Sequence, residues 1–313
     1  MRWNPAAAGP AASPLVKWVG GKSALLPELR KRLPAQFRSY YEPFAGGAAL
    51  FFWLASAIER EPAVLPGPRP APPWAVLGDR NADLIATYAC VRDHADPVFA
   101  RLQHYAERHA RARASKRYPA PAFYYQVRER WNQRRDPGDV AEDDHVDRAA
   151  AFLYLNRTCW NGVWRVNRAG EFNVPAGRYK RPQIANAARL LACARALGGA
   201  FITCGPWHHT VADADYGDVV YFDPPYVPLT TTANFTSYTQ EGFGLDDQVA
   251  LAEAAHALVR KGVRVIVSNS DTPIVRKLYR GMQISKVKMA RSISCKGDRR
   301  QPVGELLIVG SRR

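Results

Sequence analysis

Val219-Val220-Tyr221-Phe222-Asp223-Pro224-Pro225-Tyr226 is the stretch on which the reading of this chain turns. Its first four residues are β-branched or aromatic, as a buried strand requires, and the next four would then lie at that strand's carboxyl end. Open α/β sheets place their ligands at those ends. Two successive prolines fix the backbone and donate no N–H, so the Pro224 carbonyl can face a ligand without a competing local donor. Asp223, that carbonyl and the Tyr226 ring together suit a conjugated exocyclic amine. Such an amine is a poor nucleophile, because its lone pair is delocalised into the ring. Hydrogen bonds from its two N–H groups to Asp223 and the Pro224 carbonyl would favour a pyramidal nitrogen with its lone pair aimed at an electrophile. Tyr226 would stack on the ring.

The flanking sequence supplies a sheet for this strand. Apolar runs at 39–42, 74–77, 200–204, 218–222 and 264–268 alternate with helical patterns at 48–58, 82–92, 185–197, 245–260 and 273–279. A helix with Leu25, Leu26, Leu29 and Leu33 on one face ends at Pro34, and strands near 284–289 and 305–309 close the chain. This alternation predicts an α/β fold with an open, mostly parallel sheet. Residues 62–73 hold six prolines and read as a surface loop, and residues 1–14 as a disordered tail. Between 93 and 182 the composition turns Arg-rich and aromatic, with an acidic patch at 142–147 and a Gly- and Asn-punctuated stretch at 156–179, as expected of an inserted second domain.

Composition limits the function classes. With 313 residues, 47% hydrophobic and 23% charged, the chain is neither collagen-like, disordered nor a disulfide scaffold. Its +16 formal charge points to an anionic partner. Residues 101–181 hold 17 Lys and Arg against 9 Asp and Glu, and residues 276–313 hold 11 against 2, leaving the remainder close to neutral. Two basic segments are expected to converge on one polyanion-binding face. No apolar run reaches the roughly 18 residues of a membrane span, and the N-terminal stretch lacks a signal-peptide core. Five cysteines (Cys90, Cys159, Cys193, Cys204 and Cys295) without a Cys-x-x-Cys pair fit a reducing cytoplasm and no structural zinc.

Two further motifs carry chemistry. Gly20-Gly21-Lys22-Ser23 has Val16 where a P-loop needs glycine, so triphosphate binding is disfavoured, although such a Lys can still hold a carboxylate. Glu42-Pro43-Phe44-Ala45-Gly46-Gly47 is a glycine turn after a strand, and Asp79 at the end of the next strand can accept hydrogen bonds from ribose hydroxyls. Together they describe an adenosine site, with an ordinary α/β turn and a helix-capping Asp as the alternative.

The sequence resembles the Dam-type DNA adenine N6-methyltransferases from Leu15 to the end. The resemblance is carried by Lys17-Trp18-Val19-Gly20-Gly21-Lys22, the turn at 43–47, Asp79-Arg80-Asn81-Ala82-Asp83-Leu84-Ile85 and Asp223-Pro224-Pro225-Tyr226. It extends to Thr232-Ala233-Asn234-Phe235-Thr236 and Arg291-Ser292-Ile293-Ser294. Its most specific part is Asn156-Arg157-Thr158-Cys159-Trp160-Asn161-Gly162-Val163-Trp164-Arg165-Val166-Asn167, running on to Gly170-Glu171-Phe172-Asn173-Val174-Pro175.

This resemblance implies a Rossmann-like S-adenosylmethionine-dependent methyltransferase domain over 15–92 and 183–313. A mainly helical target-recognition domain carrying a β-hairpin would be inserted at 93–182. It also implies S-adenosylmethionine as methyl donor, held by Trp18, Lys22, Asp79 and Asp223, with Pro43, Phe44 and Gly46 beside its methionine part. The family often has a further glycine where this chain has Ala48. Asp223, Pro224, Pro225 and Tyr226 would act on the amine of an adenine flipped out of double-stranded DNA, with no metal. Trp160 would wedge into the base stack, Lys17, Asn161, Val163 and Arg165 would face bases within 5′-GATC-3′, and Arg291 would contact the DNA. Arg suits guanine O6 and N7, and Val suits a thymine methyl. Trp160 and Trp164 could instead be core aromatics of a small domain. The implied protein is a cytoplasmic, nucleoid-associated monomer with no membrane partner. The alternatives are an adenine methyltransferase acting on another DNA site or on RNA, and a catalytically silent DNA-binding protein.

Overall fold

Strand β1 (Tyr40–Glu42) is buried at every residue and pairs in parallel with two neighbours, β2 (Ala75–Asp79) and β4 (Val219–Phe222). Tyr40 lies level with both Ala75 and Val219, so the carboxyl ends of the three strands emerge together. The structure is a computed structural model and describes residues 10–60, 73–114, 120–133, 142–228, 243–289 and 303–312. The expectations for 232–236, Arg291 and Cys295, and for all but the last residue of the Pro-rich stretch, lie outside those residues.

The fold is a mixed α/β fold with a seven-stranded sheet of order β3-β2-β1-β4-β5-β7-β6. β3 is Ala200–Cys204, β5 Arg264–Ser270, β6 Gln283–Met289 and β7 Val303–Gly310. β4 and β5 pair in parallel, whereas β7 inserts antiparallel between β5 and β6. The apolar runs locate every strand, but nothing in them places β7 in the sheet interior. The chain divides into two units: Met1–Gly21, Gly46–Glu61 and Asn81–Ile202 form the first, and Lys22–Ala45, Pro62–Arg80 and Thr203–Arg313 the second.

The second unit carries the sheet apart from the start of β3. Its core sets Val220, Phe222, Val265, Val267, Leu306 and Ile308 against Leu251, Ala252, Ala255 and Leu258 of a long helix, Leu245–Lys261. These helix positions recur at three- and four-residue spacing, which is why one face is buried. The helix near the start of this unit is shorter than the leucine spacing predicts. It is α-helical over Leu26–Arg30 and continues as turns, with Arg32 N–H bonded to the Leu29 carbonyl (3.0 Å).

Apart from the first residues of β3, the first unit is mainly helical among its described residues. In chain order with the others, α1 is Leu26–Arg30, α2 Ala49–Arg60, α3 Ala82–Asp93, α4 Ala95–Ala114, α5 Ala120–Gln133, α6 Glu142–Thr158, α7 Ala187–Leu197, α8 Trp207–Thr210, α9 Leu245–Lys261 and α10 Pro273–Leu278. Asn81 and Asn186 cap α3 and α7 by accepting N–H bonds from Leu84 (2.9 Å) and Arg189 (3.0 Å). Residues 93–182 all fall in this unit, together with α2, α3 and α7. The acidic patch opens α6, at the helix end where carboxylates are favoured.

Of the expected tail, residues 1–9 lie outside the described residues, and residues 10–14 are tied down through their backbone. Ala12 N–H donates to Ser56 Oγ (2.8 Å), the Ser13 carbonyl accepts from Cys193 Sγ (3.1 Å), and the Pro14 carbonyl accepts from Arg189. Small side chains alone signalled no order here, since the anchoring is made by backbone groups. Cys90, Cys159 and Cys193 are buried free thiols and Cys204 an exposed one.

Candidate active site

In the second unit, β4 delivers Asp223 to the end of a fully buried strand. The buried Lys22 ammonium lies 2.8 Å from Asp223 Oδ1, and Ser268 Oγ of β5 donates to the same oxygen (2.7 Å). Both contacts fall on Oδ1. Ser268 Oγ also lies 3.1 Å from the Tyr221 hydroxyl. Burial, and then the nearby Asp223 charge, push the Tyr221 phenol well above its ordinary range, so it stays protonated. The Lys22 ammonium sits 4.8 Å from the centre of the Tyr226 ring, over its face. Burial and the Asp223 charge likewise keep Tyr226 protonated. Phe44, just past β1, packs edge-on against Phe222 and Phe243. Asp79 closes β2, and its carbonyl accepts from Gly205 N–H (3.1 Å). The strand order reverses at β1, with β2 on one side and β4 on the other, which is where open α/β sheets hold ligands.

In the first unit, Trp18 lies against the glycine turn. Gly46 has φ +45°, and a Cβ there would stand 2.6 Å from Trp18 Cδ1, so no other residue fits without displacing the indole. The Gly46 carbonyl is fixed by the Tyr88 hydroxyl (2.7 Å).

The same unit builds the 156–179 stretch. Asn161 and Gly162 both have positive φ (+53° and +67°), and Val163 N–H returns to the Trp160 carbonyl (3.2 Å), which is the two-residue turn that Asn-Gly favours. Asn156, fully buried, locks Lys17 to this turn. It accepts from Lys17 N–H (2.8 Å) and donates to the carbonyls of Lys17 (2.8 Å) and Gly162 (3.4 Å). Beyond the turn, Val166 bridges antiparallel to Phe172, and the loop between them is tied by Asn167. The two tryptophans part company. Trp164 stacks on Phe172 (4.3 Å between ring centres) and packs at a tilt against Phe152 (4.1 Å), whereas Trp160 is 41% exposed. Arg165 is exposed, with its Nε anchored on Asn173 Oδ1 (2.8 Å).

The family model for D12 class N6 adenine-specific DNA methyltransferases matches residues 18–293 of this chain. The chain belongs to that family. It is 37% identical over 303 residues to the type II methyltransferase M.MjaIII of Methanocaldococcus jannaschii, covering 95% of this chain and 98% of the relative. It is 36% identical over 297 residues to the type II methyltransferase M1.LlaDCHI of Lactococcus lactis subsp. cremoris, and 38% identical over 294 residues to a DNA adenine methylase of Escherichia coli, with 94% of each chain covered.

The protein is therefore a DNA adenine N6-methyltransferase, and its family implies S-adenosylmethionine as donor and DNA as substrate. The residues of the second unit suit that donor chemically. A buried ammonium at Lys22 matches an amino-acid carboxylate, and a carboxylate at the end of β2 matches ribose hydroxyls. Among the described residues no three His, Cys, Asp or Glu side chains group as a metal site would need, and no helix is long and apolar enough to cross a membrane. Of the expected site residues, Lys22, Pro43, Phe44, Asp79 and Asp223 to Tyr226 lie in the second unit of this D12-class enzyme. Trp18, Gly46, Lys17, Trp160, Asn161, Val163 and Arg165 lie in the first. Sequence reading missed Ser268, Asn269 and Gln248. The available signal was a polar Ser-Asn-Ser triplet ending an apolar strand, and a glutamine on the buried face of α9.

Proposed function

We propose that this enzyme methylates the N6 of an adenine flipped out of double-stranded DNA, within 5′-GATC-3′, with residues 93–182 as its target-recognition domain. The reading rests on Asp223, which stands at the carboxyl end of the buried β4 with its Oδ1 held by Lys22 and Ser268. Asp223 and the Pro224 carbonyl accept the two amine hydrogens and direct the nitrogen lone pair, and Tyr226 stacks on the base. S-adenosylmethionine supplies a sulfonium methyl group to that nitrogen; a C–S bond breaks, a C–N bond forms, and the amine proton leaves to solvent. Lys22 and Asp79 hold the donor's carboxylate and ribose, and Trp18, Pro43, Phe44 and Gly46 bound its methionine end. Extrusion of the base costs a few kcal/mol, which the exposed Trp160, wedged into the vacated stack, helps to offset. Arg165 and Val163 read a guanine and a thymine methyl, Asn161 and Lys17 face neighbouring bases, and Arg291 contacts DNA. The enzyme works as a monomer in the cytoplasm, where its DNA lies.

Labelled methyl donor incubated with duplexes containing or lacking GATC tests this reading. Label confined to the GATC duplex, and absent with Asp223→Ala, is the expected result. Equal labelling of both duplexes removes the GATC assignment, and no labelling of either removes the reading altogether.

A further inference from the structure

The loop that follows β4 is gripped by a chain of hydrogen bonds in which every donor points the same way. Val227 N–H donates to Asn269 Oδ1 (3.2 Å), Asn269 Nδ2 donates to Gln248 Oε1 (3.0 Å), and Gln248 Nε2 donates to the Pro225 carbonyl (2.8 Å). The two ends dictate this polarity, because the Val227 amide can only donate and the Pro225 carbonyl can only accept. Both side-chain amides are fully buried, Asn269 near the end of β5 and Gln248 in the first turn of α9. Ser270 completes the grip: its N–H donates to Asn269 Oδ1 (2.8 Å) and its hydroxyl to the Val227 carbonyl (2.6 Å). The two backbone groups at the ends of this chain belong to the peptide units on either side of Tyr226. An aligned, buried chain of amides is stiffer than separate bonds, since each polarises the next.

We infer that Gln248 and Asn269 are positioning residues for methyl transfer, which act by fixing both peptide groups that flank Tyr226 and so holding its ring as the platform for the extruded base. Neither side chain touches substrate; both act through the loop. A buried glutamine and asparagine are poor choices for packing alone, because apolar residues of similar size would fill the same space without needing partners. The inference rests on the reading of Asp223 to Tyr226 as the transfer site.

Gln248→Glu keeps the size of the side chain but, when ionised, turns an acceptor toward the Pro225 carbonyl. Asn269→Asp keeps the acceptor used by Val227 and Ser270 but loses the donor to Gln248. The full-length variants are compared with wild type on a duplex that the wild-type enzyme methylates, and on the same duplex with 2-aminopurine in place of the target adenine. The single-turnover rate is expected to fall by about tenfold or more in both variants, with donor and duplex dissociation constants within about twofold of wild type. Emission from the bound 2-aminopurine duplex is expected to rise, as the extruded base loses its stacking partner. An unchanged rate and emission, or a rate that falls only in proportion to donor affinity, duplex affinity and melting temperature, overturns the inference. Asp223→Ala, run in parallel, separates the two levels. Transfer that survives it removes the site reading itself, whereas its loss beside unaltered Gln248→Glu and Asn269→Asp enzymes removes only the positioning role.

Discussion

Ala48 sits at φ +49°, a conformation that glycine adopts freely and that a Cβ makes costly. It is buried, and its carbonyl accepts the first bond of α2, from Phe52 N–H (3.0 Å), so the strain is held where the glycine turn becomes a helix. Ala48→Gly is expected to raise stability by about 0.5–1 kcal/mol, measured by urea unfolding. The opposite exchange at Gly46 meets both a positive φ and the Trp18 indole. Arg165 presents a different residue-scale case, because its guanidinium is tethered at Nε while its outer edge faces solvent. Arg165→Ala should relax discrimination at one base pair by on the order of 1–3 kcal/mol, read from methylation rates on singly substituted sites. Equal loss on every duplex would mark it as a backbone contact instead.

Asp271 joins two elements that the sequence gives no reason to pair. It follows β5, accepts from Arg276 Nε of α10 (2.7 Å) and lies 2.9 Å from Lys286 Nζ of β6. Hydrogen bonds from these two cations hold its carboxyl down at about 2, against roughly 3.9 for an unfolded aspartate. Since the folded value is the lower one, the stabilisation is complete above the unfolded value and fades as pH falls from about 4 toward about 2. Solvent screens the cluster, so Asp271→Asn is expected to cost only about 0.5–1 kcal/mol at neutral pH. The gap between variant and wild type in urea titrations should close below about pH 4; a constant gap would show that shape rather than charge matters there. At the same scale, the Asn-Gly turn at 161–162 was readable in the residues themselves, because both central positions need a left-handed backbone. The division of labour between Trp160 and Trp164 was not, since two tryptophans four residues apart look alike until one is packed on Phe152 and Phe172.

For the whole molecule, the charge distribution carries the clearest prediction. The basic excess of +16 is concentrated in 101–181 and 276–313, so DNA affinity should fall by on the order of a thousandfold between about 50 and 200 mM salt if some six phosphates are neutralised. Donor affinity, which depends on buried and short-range contacts, should change by less than about twofold over the same range. Comparable salt slopes for both ligands would show that the basic segments do not grip DNA. The sequence by itself determined the strands, most helices and the Asp223 to Tyr226 motif. Apolar period, caps and proline-fixed turns are local properties, and each is written within a few residues. It also pointed to the family, through motifs spread over most of the chain. Only the tertiary structure decided that β7 enters the sheet antiparallel between β5 and β6, and that residues 10–14 are anchored through their backbone. Only there do Lys22 and Ser268 meet on one oxygen of Asp223, and Gln248 and Asn269 close around Tyr226. Those outcomes depend on residues more than a dozen positions apart in the chain converging in space, and no local pattern encodes which buried polar group will find which partner.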